Sequence, residues 1–300
     1  MRDFLRRYFP PTPLVRAPSL GSEVYLKLET ELPTGSFKVR GALVALKRRL
    51  ERGRVTEVIA SSTGNHGAAV AFAARQLGVR ATVFVPERVN PSKRQHIIDT
   101  GANIVEKGRD IAEAYLHACE YARQQDVYFL NDATDPDVPD GTATIALEIY
   151  EQLPAVRITY VPVGDTALIR GMASAFKSLN PAVKIIGVQA EGAPSYYLSW
   201  REGRPQPTEA CETIADGLAT RTPEAPNVEA IRHLVDEMVL VSDEEILGAI
   251  RHLLLREQVR AEPAGAAGAA AFLKRPSHGP TVLVISGANV SVDVLRRVLQ

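Results

Sequence analysis

The chain has 300 residues, enough for one large or two ordinary domains with a sizeable core, and its 45% hydrophobic and 23% charged content is ordinary for a globular protein. Lys+Arg and Asp+Glu both total 35, and the resulting zero net charge argues against a nucleic-acid or membrane-surface role resting on bulk charge. The 2 cysteines, Cys119 and Cys211, fit a reduced compartment better than a disulfide framework. The N-terminal run lacks the apolar stretch of a signal peptide, and no segment approaches the roughly 20 apolar residues of a membrane span. A cytoplasmic protein with no nucleic-acid or membrane partner is the expectation.

Along the chain, short β-branched runs alternate with longer helical patterns. The strands predicted are 24–28, 58–61, 81–85, 103–106, 128–130, 158–163, 185–189, 238–241 and 281–285. Between them fall predicted helices at 41–51, 67–77, 91–100, 111–125, 142–152, 168–178, 244–256 and 263–273. Ser242 followed by Asp243-Glu244-Glu245 is an N-cap with acidic residues in the first turn. This alternation predicts an α/β chain with parallel-rich sheets flanked by helices. Ligands in such folds bind beyond the carboxyl ends of strands.

Four segments carry candidate chemistry. In Pro33-Thr34-Gly35-Ser36-Phe37-Lys38 a lysine follows a glycine, which permits an unusual turn, and a serine placed to cap the next helix. Burial and the positive end of that helix would keep Lys38 nucleophilic, as a Schiff-base amine must be. An isolated lysine is more often a surface residue, so the reading rests on the other three segments. Ser61-Ser62-Thr63-Gly64-Asn65-His66-Gly67 runs from a strand end into a helix, where free amides and the helix dipole favour a carboxylate. Asn65 offers an amide to a ring oxygen, and His66 reads as a packing or hydrogen-bonding residue, since no partner for a base is visible. Val163-Gly164-Asp165-Thr166-Ala167-Leu168 is a Gly-led turn after an apolar strand, suited to a phosphate, with Thr166 adding a hydroxyl. In Val282-Leu283-Val284-Ile285-Ser286-Gly287-Ala288-Asn289 a buried strand delivers a serine, a hydrogen-bond donor for a neutral heterocyclic nitrogen. Each of the last three also has a plain reading as a tight turn or strand end.

In this order the segments resemble the pyridoxal-phosphate enzymes of the tryptophan-synthase-β type (fold type II), and most closely the threonine and serine dehydratases. The resemblance runs from Thr12-Pro13-Leu14 to Asn289 and takes in Glu191-Gly192-Ala193-Pro194-Ser195, Thr213-Ile214-Ala215-Asp216-Gly217 and Glu262-Pro263-Ala264-Gly265-Ala266. It implies pyridoxal 5'-phosphate as cofactor, Lys38 as its covalent partner and general base, and Phe37 packed near the ring. It further implies Asn65 on the phenolic oxygen, Gly164, Asp165, Thr166, Ala167 and Leu168 around the phosphate, and Ser286 at the pyridine nitrogen. Ser62, Thr63, Gly64, Asn65 and His66 would take the substrate carboxylate. The implied architecture is a large cofactor-binding domain of residues 1–40 plus 141–300, a small domain of residues 41–140, and the cofactor in the cleft between them. The implied reaction is β-elimination from a hydroxy amino acid such as L-threonine or L-serine to a 2-oxo acid and ammonia, by a homo-dimer or tetramer.

The chain departs from the resembled pattern in four places. Asp165, Thr166 and Ala167 replace a run of glycines in the phosphate loop, and an aspartate there must point away or be neutralised, for instance by Arg170. Thr63 stands where threonine dehydratases tend to carry alanine and serine racemases serine; threonine synthases carry a threonine. Near Glu191, Tyr197 occupies the position of an expected aspartate, so the divalent metal of eukaryotic serine racemases is not predicted. The chain stops soon after Ser286, so a regulatory domain and feedback by isoleucine are not expected. A threonine synthase, a serine racemase, a replacement enzyme of the cysteine-synthase kind and a 3-hydroxyaspartate ammonia-lyase remain alternatives, as does a cofactor-binding protein without turnover.

Overall fold

The computed structural model describes residues 1–89, 91–124 and 126–300, with residues 91, 92, 93 and 96 described by backbone alone. In chain order the first elements are α1 (Arg2–Leu5), β1 (Leu14–Arg16), β2 (Val24–Leu28), α2 (Lys38–Arg52), β3 (Glu57–Ser61), α3 (Asn65–Leu77), β4 (Arg80–Val85), α4 (Pro91–Asp99), β5 (Asn103–Glu106), α5 (Ile111–Tyr121) and β6 (Val127–Phe129). There follow α6 (Val138–Gln152), β7 (Ile158–Pro162), α7 (Ala167–Leu179), β8 (Lys184–Ala190), α8 (Ser195–Glu202), α9 (Ala225–Leu234), β9 (Glu237–Val241), α10 (Asp243–Arg256), α11 (Pro263–Lys274), β10 (Thr281–Ile285) and α12 (Val292–Leu299). All nine predicted strands are present to within a residue or so at each end. The predicted helix at 111–125 stops at Tyr121, and its last expected residue, Gln125, lies outside the described residues. Four helices (α1, α8, α9 and α12) and the edge strand β1 were not anticipated.

The chain divides into two compact units, one of residues 1–9 and 38–141 and the other of residues 10–37 and 142–300. Residues 1–9 thus group with the smaller unit, where the sequence reading placed them with the larger. The reason is local packing: Leu5 and Phe9 are buried, Lys47 stands over the Phe4 ring and Arg40 over the Phe9 ring.

The first unit is built on a four-stranded sheet in the order β5-β4-β3-β6, with every pairing parallel. Its strands β3 and β4 are buried almost throughout, as a sheet covered on both faces requires. Gly41 of α2 and Gly141 of α6 admit a close approach, since a Cβ on Gly141 would lie 2.3 Å from the Arg40 carbonyl oxygen.

The second unit carries a six-stranded sheet in the order β1-β2-β10-β7-β8-β9, parallel except for β1 against β2. The Ala/Gly-rich α11 is buried along nearly its whole length, and a Cβ added at Gly268 would lie 3.4 Å from Tyr160 on β7. A buried polar network ties strand to helix: Lys27 Nζ donates to the Thr12 carbonyl at 2.7 Å, Glu148 Oε2 at 2.7 Å and Gln152 Oε1 at 3.1 Å. Thr12 in turn donates its hydroxyl to Glu29 Oε1 at 2.6 Å.

Candidate active site

In the second unit the lysine-bearing loop is stitched to the end of β10. The Phe37 amide donates to the Ser286 carbonyl at 3.0 Å, Ser36 bridges Gly287, the Ala288 amide donates to the Gly35 carbonyl at 2.9 Å, and Asn289 Nδ2 donates to the Thr34 carbonyl at 2.9 Å. Gly35 sits at φ +67°, and a Cβ there would meet Asn289 Oδ1 at 2.7 Å. Both the turn and the close approach therefore require glycine. Gly287 is similarly constrained, with its Cβ position 2.4 Å from Glu262 Oε1. Two segments some 250 residues apart in sequence thus form one element, carrying buried Ser286 and half-buried Phe37.

Ser36 does not cap α2 as its position suggested. Its hydroxyl is buried without a hydrogen-bond partner among the described residues, as is that of Thr34. Buried polar atoms are almost always satisfied, so orphan hydroxyls beside a lysine are expected where a polar ligand completes the set.

The second candidate segment of this unit is the turn after β7. Gly164 packs against the run at 213–217, where an added Cβ would lie 2.2 Å from the Gly217 carbonyl oxygen. Asp165 Oδ1 accepts from Thr220 Oγ1 at 3.0 Å, and Asn227 Nδ2 reaches the Asp165 carbonyl at 3.4 Å. Thr166 takes a left-handed conformation (φ 69°) that favours glycine, and its hydroxyl accepts from Arg170 Nε at 3.0 Å. That hydroxyl caps no amide of α7, so the helix opens with its N–H groups at Ala167 and Leu168 available to an anion. Thr142 Oγ1 holds the same turn through the Ala167 carbonyl at 2.7 Å. Glu191 and Tyr197 serve elsewhere: Glu191 pairs with Lys274 at 3.5 Å and the Tyr197 amide donates to Gln189 Oε1 at 2.8 Å.

The first unit holds Lys38, at the head of α2, and the loop at 61–67. Gly64 precedes α3 with no side-chain cap, and its own amide donates to Ser62 Oγ at 3.2 Å. Ser62, Thr63, Gly64 and Asn65 are half-buried around this helix start, and the Ser61 hydroxyl is buried without a partner among the described residues. His66 is buried and its Nε2 lies 2.8 Å from the Leu130 carbonyl oxygen, a contact in which only the ring nitrogen can donate.

Asp132, which sequence reasoning missed, accepts a hydrogen bond from Lys38 Nζ and stands 3.7 Å from His66 Nδ1. Burial pushes the Asp132 carboxyl up, but His66 and Lys38 outweigh it and hold the group well below the usual carboxylate range. Lys38, expected to be kept nucleophilic by burial and the helix end, is ion-paired. The available signal was the polar run Asn131-Asp132 immediately beyond a strand, where parallel sheets place their ligands.

Comparison with known proteins agrees with this geometry. The sequence pattern of the family described as "Pyridoxal-phosphate dependent enzyme" matches residues 5–287. The chain is 42% identical over 281 residues to the L-threonine ammonia-lyase of Thermotoga maritima, which spans 93% of this chain and 70% of that protein. It superposes with a TM-score of 0.90 and 31% identity on the processed form of threonine deaminase isoform 2 from Solanum lycopersicum, covering 99% of this chain and 92% of that one. Maize serine racemase matches with a TM-score of 0.89 and 26% identity over 99% of this chain and 94% of that one. The chain belongs to the pyridoxal-phosphate-dependent enzyme family, in its fold type II branch.

Proposed function

We propose that this protein is an ammonia-lyase that eliminates the β-hydroxyl of a small hydroxy amino acid, L-threonine or L-serine, to yield a 2-oxo acid and ammonia. The observation that carries the reading is the stitch between residues 34–37 and 286–289, which sets the residue before Lys38 on the strand end bearing Ser286. The residues present fit pyridoxal phosphate. An uncapped helix start follows β7, two orphan hydroxyls lie in the lysine loop, and the donor at the end of β10 is an uncharged serine. When bound, the cofactor supplies an aldehyde that links to amines and a conjugated ring that accepts the charge left by a departing α-proton.

In this reading Lys38 holds the cofactor through Nζ and, once released by substrate, takes the α-proton at the same atom. Gly164, Asp165, Thr166, Ala167 and Leu168 form the phosphate cradle. Asp165 is compatible with that task because its carboxylate is engaged by Thr220. Asn65 serves the ring oxygen, Phe37 the ring face and Ser286 the ring nitrogen, to which a hydroxyl donates without adding charge. The backbone of Ser62, Thr63, Gly64, Asn65 and His66 orients the substrate carboxylate at the start of α3. Loss of the β-hydroxyl as water leaves an enamine that hydrolyses after release. Both cysteines are free, which supports a cytoplasmic setting, and a homo-oligomer is proposed on the family resemblance.

The test is 2-oxo acid release by the cofactor-loaded protein from L-threonine, L-serine and the two diastereomers of 3-hydroxyaspartate. Release from threonine or serine supports the reading. Release from a hydroxyaspartate alone keeps the elimination and replaces the substrate. Silence on all four refutes it in favour of a racemase or synthase.

A further inference from the structure

Three elements of the first unit converge on one carboxylate. Lys38 heads α2, His66 lies in the first turn of α3, and Asp132 lies just beyond β6, which pairs with β3 in the sheet. The Lys38 and Asp132 side chains are 17% and 13% exposed, so their contact is largely withdrawn from water. Asp132 Oδ2 accepts from Lys38 Nζ and is also the oxygen that lies 3.7 Å from His66 Nδ1. On its far side the imidazole is pinned by Nε2, which donates to the Leu130 carbonyl at 2.8 Å. With Nε2 carrying a proton, Nδ1 presents either a lone pair or a second proton to the carboxylate. The lone pair is repelled by Asp132 and the second proton is attracted.

The cluster therefore has two arrangements of equal net charge. In one, Lys38 is an ammonium and His66 is neutral; in the other, Lys38 is an unprotonated amine and His66 is an imidazolium. Asp132 compensates either cation. The charged groups acting on its carboxyl are His66 and Lys38, and they hold it ionised against the cost of burial. An amine that must be neutral to attack and to abstract a proton, and cationic afterwards, needs such an exchange.

We propose that Asp132 is a positioning residue that holds the Lys38 amine and, with His66, sets the pH at which that amine becomes nucleophilic. One proton is exchanged between Lys38 Nζ and His66 Nδ1 while Asp132 stays a carboxylate that compensates whichever of the two is cationic. One N–H bond breaks at the lysine, one forms at the imidazole, and no electron leaves the cluster. This rests on the assignment of Lys38 as the cofactor's partner.

The experiment follows recapture of added pyridoxal phosphate by the cofactor-stripped full chain across pH, by visible absorbance with hydride fixation and mass analysis of the Lys38 peptide. The kcat profile of the reloaded enzyme is recorded alongside. Removing the carboxylate in D132N withdraws the group that stabilises the ammonium, so the midpoint for recapture and the acid limb of kcat are expected to fall by about one pH unit or more. Removing the imidazole in H66Q leaves Asp132 to the lysine alone, so both are expected to rise. A simple loss of packing would lower rates without moving midpoints in opposite directions. A D132N midpoint at or above that of the wild type overturns the proposal, and so does an unmoved H66Q midpoint, which keeps the test decisive if D132N does not fold. Recapture needs no substrate, so this outcome is separate from any failure of the elimination reading.

Discussion

Lys27 offers the sharpest test of what holds the site's foundation in place. It is fully buried on β2 and its ammonium donates to the Thr12 carbonyl, Glu148 Oε2 and Gln152 Oε1. Methionine is close to lysine in length and volume, so K27M opens little cavity and isolates the polar loss. What remains is a carboxylate at Glu148, 4% exposed, deprived of the cation 2.7 Å away. Removing one partner of a buried ion pair costs about 3–5 kcal/mol, a large share of the roughly 5–15 kcal/mol that holds a domain folded. The second variant, K27M/E148Q, removes the negative charge of that carboxylate and keeps an acceptor for the Thr12 amide, which lies 3.1 Å from Glu148 Oε2. It is expected to regain at least about 1 kcal/mol over K27M. The assay is urea unfolding of the cofactor-loaded chain at fixed cofactor concentration, because bound cofactor itself shifts stability. A K27M loss below about 1 kcal/mol, or a double variant no more stable than the single one, would refute the reasoning. Through Thr12 the network also reaches Glu29, which precedes the loop bearing Phe37 in the same unit, so K27M is expected to lose cofactor more readily on gel filtration.

Further expectations concern single positions. G164A forces a Cβ to within 2.2 Å of a backbone oxygen, a strain of about 1–3 kcal/mol that should weaken cofactor retention about tenfold or more, measured by equilibrium dialysis. Asp137 is buried, which pushes its carboxyl up, but hydrogen bonds from Arg52 and Arg48 outweigh this and hold it below the usual range. Its stabilising contribution is therefore present above about pH 4, the unfolded carboxylate value, and is lost as pH falls through the lower folded value. D137N should accordingly be less stable at neutral pH and show a flatter fall in unfolding free energy on acidification. S286A should retain bound cofactor while kcat falls, and an unchanged kcat would remove the hydroxyl from the ring-nitrogen role.

Much of the fold was legible because its central strands are short, β-branched and buried on both faces, a pattern that stands out from the helices around it. The run Val282-Leu283-Val284-Ile285 is the clearest instance. What escaped was weak in local signal. Strand β1 is three residues long and pairs at a sheet edge, α8 opens on Ser195-Tyr196-Tyr197, which are poor helix formers, and α9 opens on Ala225-Pro226, where a proline reads first as a break. The start of α2 at Lys38 was placed three residues late because Lys38-Val39-Arg40 looks like loop until the apolar face at Ala42-Leu43 is reached.

The site was legible as separate segments but not as an arrangement. Gly35 and Ser286 were visible as a turn and a strand end. That Ser36 bridges Gly287, leaving its hydroxyl orphaned, depends on tertiary pairing. Asp165 appeared as an unfavourable charge because Thr220, the hydroxyl that engages it, lies 55 positions away. Asp132 was invisible for the same reason, since it meets Lys38 across 94 positions through tertiary packing within the first unit.

The most direct test of the central claim is 2-oxo acid release from L-threonine and L-serine by wild type and K38A, with mass analysis of the hydride-fixed protein. The wild type is expected to release product and to carry the cofactor on the peptide containing Lys38, and K38A to do neither. Release by K38A at a rate near that of the wild type, or fixation of the cofactor on another lysine, would contradict the account.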